Sequence, residues 1–332
     1  NEYFEGLNIE AIKDDITFTL LGVVADESGM VITYRIEAPF DLQKTDTKRI
    51  TIYQNGKELE VAYGYNLFPN EPTYQLENQV EITAPNPLNY DSPNFEFQLI
   101  MDNPEQTTFN IPFTLTKEIQ KSLTYPIEQT IEIDGQKLTV HKLTISPLRA
   151  GITLSPDEGN TMQILSIEHI RLMDENREEW GSITNGISSF GGNYDFSRTL
   201  FIQSNYFRTP KELHLKLERI QALQKGENCI EIDFIKQEIV SQPTNWPITF
   251  SHITSHSFKA EIAKSSKSFH HGLFGEAIDA NGQTLESSGY STLDGDDYQI
   301  YEPRYETANI ANPVKIYFES FPFFEHFFCN AI

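Results

Sequence analysis

Cysteine is nearly absent: Cys229 and Cys329 are the two in 332 residues. That excludes a disulfide-stapled scaffold and a cysteine-rich zinc site, since both need several thiols at close spacing. One bridge between them in an oxidising compartment, or two free thiols, fits the count equally well. No apolar run approaches the roughly 18–20 residues that span a bilayer. Residues 1–15 are polar and acidic, with neither the basic start nor the apolar stretch of a secretory signal. No methionine opens the chain, so it reads as a piece cut from a longer polypeptide. There is no Asn-X-Ser/Thr acceptor, which removes any argument for a glycoprotein. Basic residues are scarce: 25 Lys and Arg against 48 Asp and Glu leave a formal net charge of -23. Such a balance repels phosphate backbones and argues against a nucleic-acid partner. A solvated acidic exterior is the default reading.

The usual signatures of chemistry are missing too. There is no glycine-rich phosphate loop and no Gly-X-Ser-X-Gly elbow, and Gly191-Gly192-Asn193 reads as a turn. His252 and His256 lie four apart and His270-His271 are adjacent. Their surroundings read as strand or loop rather than helix, and no Glu sits beside His252, so they read as surface histidines. Asp294-Gly295-Asp296-Asp297 lacks the alternating ligands and distal Glu of a calcium loop, and reads as a solvated turn. Carboxylates are too many for any one pair to signal a glycosidase. No catalytic, cofactor-binding or metal-ligating residue is assigned, no cofactor is implied, and the chain reads as a non-enzyme.

What the sequence does hold is strand chemistry. Hydrophobic residues make up 39% and aromatics 12%, with 23 Phe and 15 Tyr, enough for real cores. Three similar turns recur: Asn55-Gly56, Asp134-Gly135 and Asn281-Gly282, each followed by two polar residues and Leu. Asn-Gly and Asp-Gly accept positive φ cheaply, so between alternating apolar runs they predict hairpins. Ile16, Phe18 and Leu20 alternate, and residues 26–29 form a turn before Val31, Thr33 and Arg35. Past Ile131 and Ile133 the alternation through Leu138 and Val140 changes parity at Leu143 and Ile145. One extra residue near His141-Lys142, a β-bulge, restores it. Asp174-Glu175-Asn176 predicts a fourth hairpin, with Trp180 beyond. Leu213, Leu215 and Leu217 share one face only on a strand. Ile230, Ile232 and Phe234 alternate, and later Phe258, Ala260 and Ile262, then Val314, Ile316 and Phe318. Many short strands with regular turns predict β-sandwiches. A polar, proline-ended hinge at 116–126 and a connector at 241–247 divide the chain into units 1–116, 117–240 and 241–332. The aromatic cluster Phe321, Phe323, Phe324, Phe327 and Phe328 reads as core or as an edge packed on a neighbour.

One stretch is distinctive as a string. Residues 125–154 (YPIEQTIEIDGQKLTVHKLTISPLRAGITL) are followed by Ile170-Arg171-Leu172-Met173-Asp174, Glu179-Trp180-Gly181 and residues 200–210 (LFIQSNYFRTP). This resembles the extracytoplasmic region of Bacillus-type negative effectors of ECF-type sigma factors, an anti-sigma family. Residues 16–37 (ITFTLLGVVADESGMVITYRIE) look like that family's first β module; the last third is similar more loosely, and 321–332 departs from it. The resemblance implies an all-β chain of tandem Ig-like antiparallel β-sandwich domains with no catalytic residues. It also implies a membrane anchor upstream of residue 1 and a cytoplasmic segment, missing from this chain, that binds the sigma factor. The chain is then the soluble ectodomain on the extracytoplasmic face of the cell membrane, facing an envelope ligand or protein partner. The alternative is a cell-surface adhesion or carbohydrate-binding protein.

Overall fold

In a computed structural model, strict alternation makes the strands. Ile16, Phe18 and Leu20 are fully buried, while Thr17 and Thr19 between them stay half-exposed. The residues described are 3–65, 71–183, 189–190, 197–217, 219–244, 248–263 and 272–319. Among them there is no α-helix, and no helix long and apolar enough to cross a membrane. The single helical piece is the 3-10 turn Leu42–Lys44, capped by Asp41, whose carboxylate accepts from the Gln43 amide. The fold is all-β, and every strand pair in its sheets is antiparallel.

The first unit comprises β1 (Glu5–Lys13), β2 (Ile16–Asp26), β3 (Gly29–Glu37), β4 (Asp46–Gln54), β5 (Lys57–Glu58), β6 (Ala62–Tyr65), β7 (Gln75–Thr83), β8 (Asn94–Asp102) and β9 (Thr108–Thr114). One sheet runs β1-β2-β3-β7-β6 and the other β5-β4-β8-β9. Apart from the leading β1, this is the strand order of an immunoglobulin domain, A-B-E-D facing C′-C-F-G. Phe18 lies at its centre, with ring centroids 5.5, 5.6 and 5.3 Å from Tyr34, Phe97 and Phe109.

The second unit repeats the plan with β10 (Leu123–Ile133), β11 (Gln136–Ile145), β12 (Ala150–Pro156), β13 (Met162–Glu168), β14 (Arg171–Asp174), β15 (Glu179–Trp180), β16 (Ser189–Phe190), β17 (Arg198–Ile202), β18 (Leu213–Lys216) and β19 (Arg219–Gln224). The sheet β10-β11-β12-β17-β16 matches β1-β2-β3-β7-β6. Opposite it, C is broken into β13 and β14, and F into β18 and β19, with β15 as C′. Even the irregularities repeat. In the first hairpin the register slips between Gly6 and Ile9, and β2 slips against β3 between Leu20 and Gly22. In the second it slips between Pro126 and Gln129, and between Val140 and Lys142. The extra residue is His141, where the parity change predicts it.

The third unit contains β20 (Cys229–Asp233), β21 (Glu238–Ser241), β22 (Ile248–Ser251), β23 (Lys259–Ala263), β24 (Phe274–Ile278), β25 (Ser287–Asp294), β26 (Tyr298–Tyr305) and β27 (Val314–Phe318). Its sheets are β21-β20-β27-β24 and β22-β23-β26-β25, so its first and last strands pair. This order differs from that of the other two units.

Three sequence expectations shift. The strand Cys229–Asp233, expected in unit 117–240, pairs with β27, and Ile230, Ile232 and Phe234 enter the third core. The junction therefore lies at the turn 225–228, before β20, and not at 241. The expected hinge 116–126 is tied down: the Glu5 carboxylate accepts from the Thr116 and Lys117 amides, and β10 already starts at Leu123. Of the three recurrent turns, Asn55-Gly56 and Asp134-Gly135 have both residues at positive φ and join paired strands. Asn281-Gly282 instead closes an isolated bridge between Ile278 and Thr284.

Candidate functional site

The two most deeply buried charged residues among those described, Asp26 and Arg149, lie where the first two units meet. The turn after β2 (residues 26–29) and its counterpart after β11 (residues 146–149) touch each other. The turns are equivalent: Ala25 pairs with Met30 in one, Ile145 with Ala150 in the other. Asp26 is wholly buried. One of its oxygens accepts from the Ser28 amide and hydroxyl at 2.7 and 2.6 Å; the other accepts from the Leu148 amide of the second unit at 2.7 Å. Burial pushes its pKa up, against the opposing pull of these hydrogen bonds and of Arg149.

Arg149 supplies the opposite charge and is 1% exposed. Its guanidinium donates to the Thr83 hydroxyl and lies 3.1 Å from Glu81 Oε1, both on β7 of the first unit. Its carbon sits 5.6 Å from the centroid of the Phe201 ring. Burial lowers its pKa while Glu81 and Asp26 raise it. Around this pair the Glu27 carboxylate accepts from the Ser122 amide, Ser122 and Ser146 hydroxyls meet at 2.7 Å, and the Tyr90 hydroxyl donates to the Asp26 carbonyl. The Tyr3 and Phe207 rings, one from each unit, lie 4.8 Å apart. Gly29 lets β3 lie this close to β7: a Cβ there would fall 1.9 Å from the Ile82 carbonyl oxygen. The bond from Leu148 to Asp26 and the contacts of Arg149 with Thr83 and Glu81 cross the joint and tie the two units together, although Arg149 Nε has no hydrogen-bond partner.

A second constellation has the look of reactivity. Glu128 Oε2 lies 3.0 Å from His141 Nδ1, and His141 Nε2 lies 2.7 Å from Ser155 Oγ. Acid, imidazole and hydroxyl in that order can activate a serine. The two bulges bring the trio together: Glu128 has φ 50 and His141 is the inserted residue. None of the three lines any of the described clefts, and Glu128 is 66% exposed. The trio is a polar ladder on an open sheet face.

Two clefts, of about 350 and 440 Å³, flank the strap formed by residues 115–121. A third, of about 540 Å³, lies between the second and third units and is lined by Gln163, Gly226, Asn228, Cys229, Lys315 and Tyr317. Burial pushes the Cys229 thiol up, so it is protonated at neutral pH and a poor nucleophile. Cys229 has no disulfide partner among the described residues; Cys329 lies outside them, as do Gly191-Gly192-Asn193, His270-His271 and Phe321 to Phe328. His252 and His256 are exposed, each beside a serine hydroxyl at 3.1 Å. Asp294, Asp296 and Asp297 flank or form the exposed turn between β25 and β26. No cluster of three or more His, Cys, Asp and Glu suited to a metal occurs among the described residues.

Sequence reasoning singled out neither Asp26 and Arg149 nor the Glu128, His141 and Ser155 trio. The only available signal was that Arg149 interrupts an apolar stretch, Leu148 to Leu154, at a turn.

Residues 122–250 match the profile of a family described as "Family of unknown function (DUF5643)". No curated protein matches. A solved structure, the conserved domain protein from Bacillus anthracis, aligns over 72% of this chain and 84% of its own, at 15% identity and a TM-score of 0.47. At that score the likeness carries no argument; the fold rests on the sheets themselves. The matched stretch contains the whole second unit together with β20 and β21, and its first residue, Ser122, is bonded across the joint.

Proposed function

We propose that this chain is the extracytoplasmic sensor and regulatory region of a single-pass membrane anti-sigma factor, a negative effector of an ECF-type sigma factor, and that it works without catalysis. The observation that carries the reading is the string from 125 to 210, which has the character of that family's ectodomain and folds as the second unit. The joint at Asp26 and Arg149 supports it, because a regulator that reports an external event needs modules that move together. An envelope ligand or protein partner engages the modules; the sigma factor binds a cytoplasmic segment that precedes this chain. Recovering the complete gene tests this. An upstream membrane span and a neighbouring sigma-factor gene are expected, and deleting the region coding for this chain should change transcription of that sigma factor's targets. A gene with neither feature overturns the reading.

A second reading, a cell-surface adhesion or carbohydrate-binding protein, draws on one observation. Leu293 and Tyr298 are exposed on one face of the β25–β26 hairpin and Tyr290 on the other, beside Tyr301, and exposed aromatic rings suit sugar faces. Pull-down on peptidoglycan and on cell-wall polysaccharide, repeated with Tyr290→Ala and Tyr298→Ala, separates the two. Binding lost in both variants favours the glycan role.

A further inference from the structure

The two joints of the chain are built from different material. Between the first and second units the cores stay apart. Among the described residues, the buried cluster around Phe18 draws on residues 16–115 and the one around Val140 on residues 131–220. What crosses is chiefly polar. The Leu148 amide donates to Asp26, Arg149 donates to Thr83 and pairs with Glu81, and the Ser122 amide donates to Glu27. The contact of the Tyr3 and Phe207 rings leaves Phe207 58% exposed.

Between the second and third units a side chain passes from one unit into the core of the other. β13 carries a bulge of its own: its register against β19 slips between Ile164 and Ser166, and the inserted residue is Leu165. Ile164 and Ile167 belong to the second core, whereas Leu165 belongs to the third, with Ile230, Phe258 and Ile316. Leu223, opposite Gln163 on β19, packs against that third core too. Bulges re-aim side chains, and this one makes a residue of the second unit part of the third. The connections differ in the same sense. β9 ends at Thr114 and β10 begins at Leu123, whereas β19 ends at Gln224 and β20 begins at Cys229, across a turn in which the Glu227 amide donates to the Gln224 carbonyl at 3.0 Å.

We propose that the chain moves as two bodies: the first unit, and the second and third units locked together by Leu165. The Asp26 and Arg149 joint is the latch between them, and residues 115–122 are the tether that holds them once it opens. Opening the latch exchanges hydrogen bonds and an ion pair for bonds to water, and it recovers the hydration that Asp26 and Arg149 gave up on burial. Parting the other seam offers no such exchange. Leu165 would leave a hole in the third core and carry apolar surface into water. The cleft at that seam is bridged, since the Asn228 side-chain amide donates to Gln163 Oε1. A ligand on the second or third unit therefore displaces both against the first. Which parts move does not depend on what the chain regulates.

Spin-label distances in the full chain, with Cys229→Ser and Cys329→Ser removing the native thiols, test this. Labels at Lys57→Cys and Lys137→Cys span the first joint, and labels at Lys137→Cys and Glu261→Cys span the second; all three positions are exposed. Arg149→Ala should broaden the first distance distribution at least about twofold and leave the second unchanged. Leu165→Ala should do the reverse. An unchanged first distribution in Arg149→Ala, or broadening of both together, overturns the two-body assignment. So does an unchanged second distribution in Leu165→Ala. Should Arg149→Ala fail to fold, Glu81→Gln weakens the same ion pair from the first unit and takes its place, with the same outcomes deciding.

Discussion

The first and second units share a backbone plan but spend their side chains differently. Both begin with a hairpin that carries two bulges at matching places. In the first unit the bulged residues are Asn8 and Leu21; in the second they are Glu128 and His141, which bond each other. The first unit fills its centre with stacked rings around Phe18, while the second packs aliphatic Val140, Ile152, Leu154 and Ile220. At the equivalent place in the turn, the first unit has Gly29 and the second has Arg149. The lesson is that register and bulges set the frame, and single residues at equivalent positions decide whether a unit stands alone or is joined.

Breaking the joint should have the largest effect. Arg149→Ala leaves Asp26 and Glu81 without their countercharge and should cost about 3–5 kcal/mol. Urea unfolding followed by near-ultraviolet circular dichroism should then resolve separate transitions for the two units. Phe109→Ala tests the reliance of the first unit on its G strand. It removes a ring stacked on Phe18 and should cost about 3–5 kcal/mol, and the loss should be confined to exchange of amides in residues 5–114.

Acid should loosen the first unit before the second. Burial alone would raise the Glu5 pKa, but the Thr116 hydroxyl and amide and the Lys117 amide outweigh it and hold the carboxyl below its usual 4.5. A lowered folded pKa means stability that is present above the unfolded value and is lost as pH falls through the folded one. Glu5→Gln should remove that part of the acid dependence, at about 1 kcal/mol near neutral pH; urea titrations at a series of pH values measure it. At the hairpin tips, Gly135→Ala should cost about 1 kcal/mol, whereas Asp15→Gly in the matching turn should gain about 0.5 kcal/mol. Thermal midpoints will show the opposite signs. The smallest effect belongs to the sheet-face trio: Ser155→Ala should shift stability by less than about 0.5 kcal/mol. A fluorophosphonate probe should label neither protein, and labelling of Ser155 would make the trio an active site.

Local pattern was legible where one residue type decides geometry. The alternation of Ile16, Phe18 and Leu20 yields a buried strand face, and the parity change around His141 locates a bulge. Asp14-Asp15 escaped because it lacks glycine, yet both residues take positive φ and make the turn that Asp134-Gly135 makes. The partner of a strand was not legible. Ile230, Ile232 and Phe234 announce a strand, but pairing with β27 is a long-range event that alternation does not encode. Arg149 was hidden for a related reason: a charged residue in a turn normally faces water, and here β7 of the other unit and the Phe201 ring cover it. The Glu128, His141 and Ser155 trio depends on two bulges at once, so its spacing along the chain follows no motif.

The buried joint also determines how the molecule would respond to a load. Two sandwiches strung on a slack tether absorb a pull by reorienting, and the far end feels nothing until the tether is taut. Here Asp26 and Arg149 are anchored in backbone turns on opposite sides and leave no slack, and Glu5 pins the connecting strap. A torque applied to the second unit therefore loads β2 through the bond from Leu148 to Asp26 and β7 through the Arg149–Glu81 ion pair, up to the load at which these contacts part.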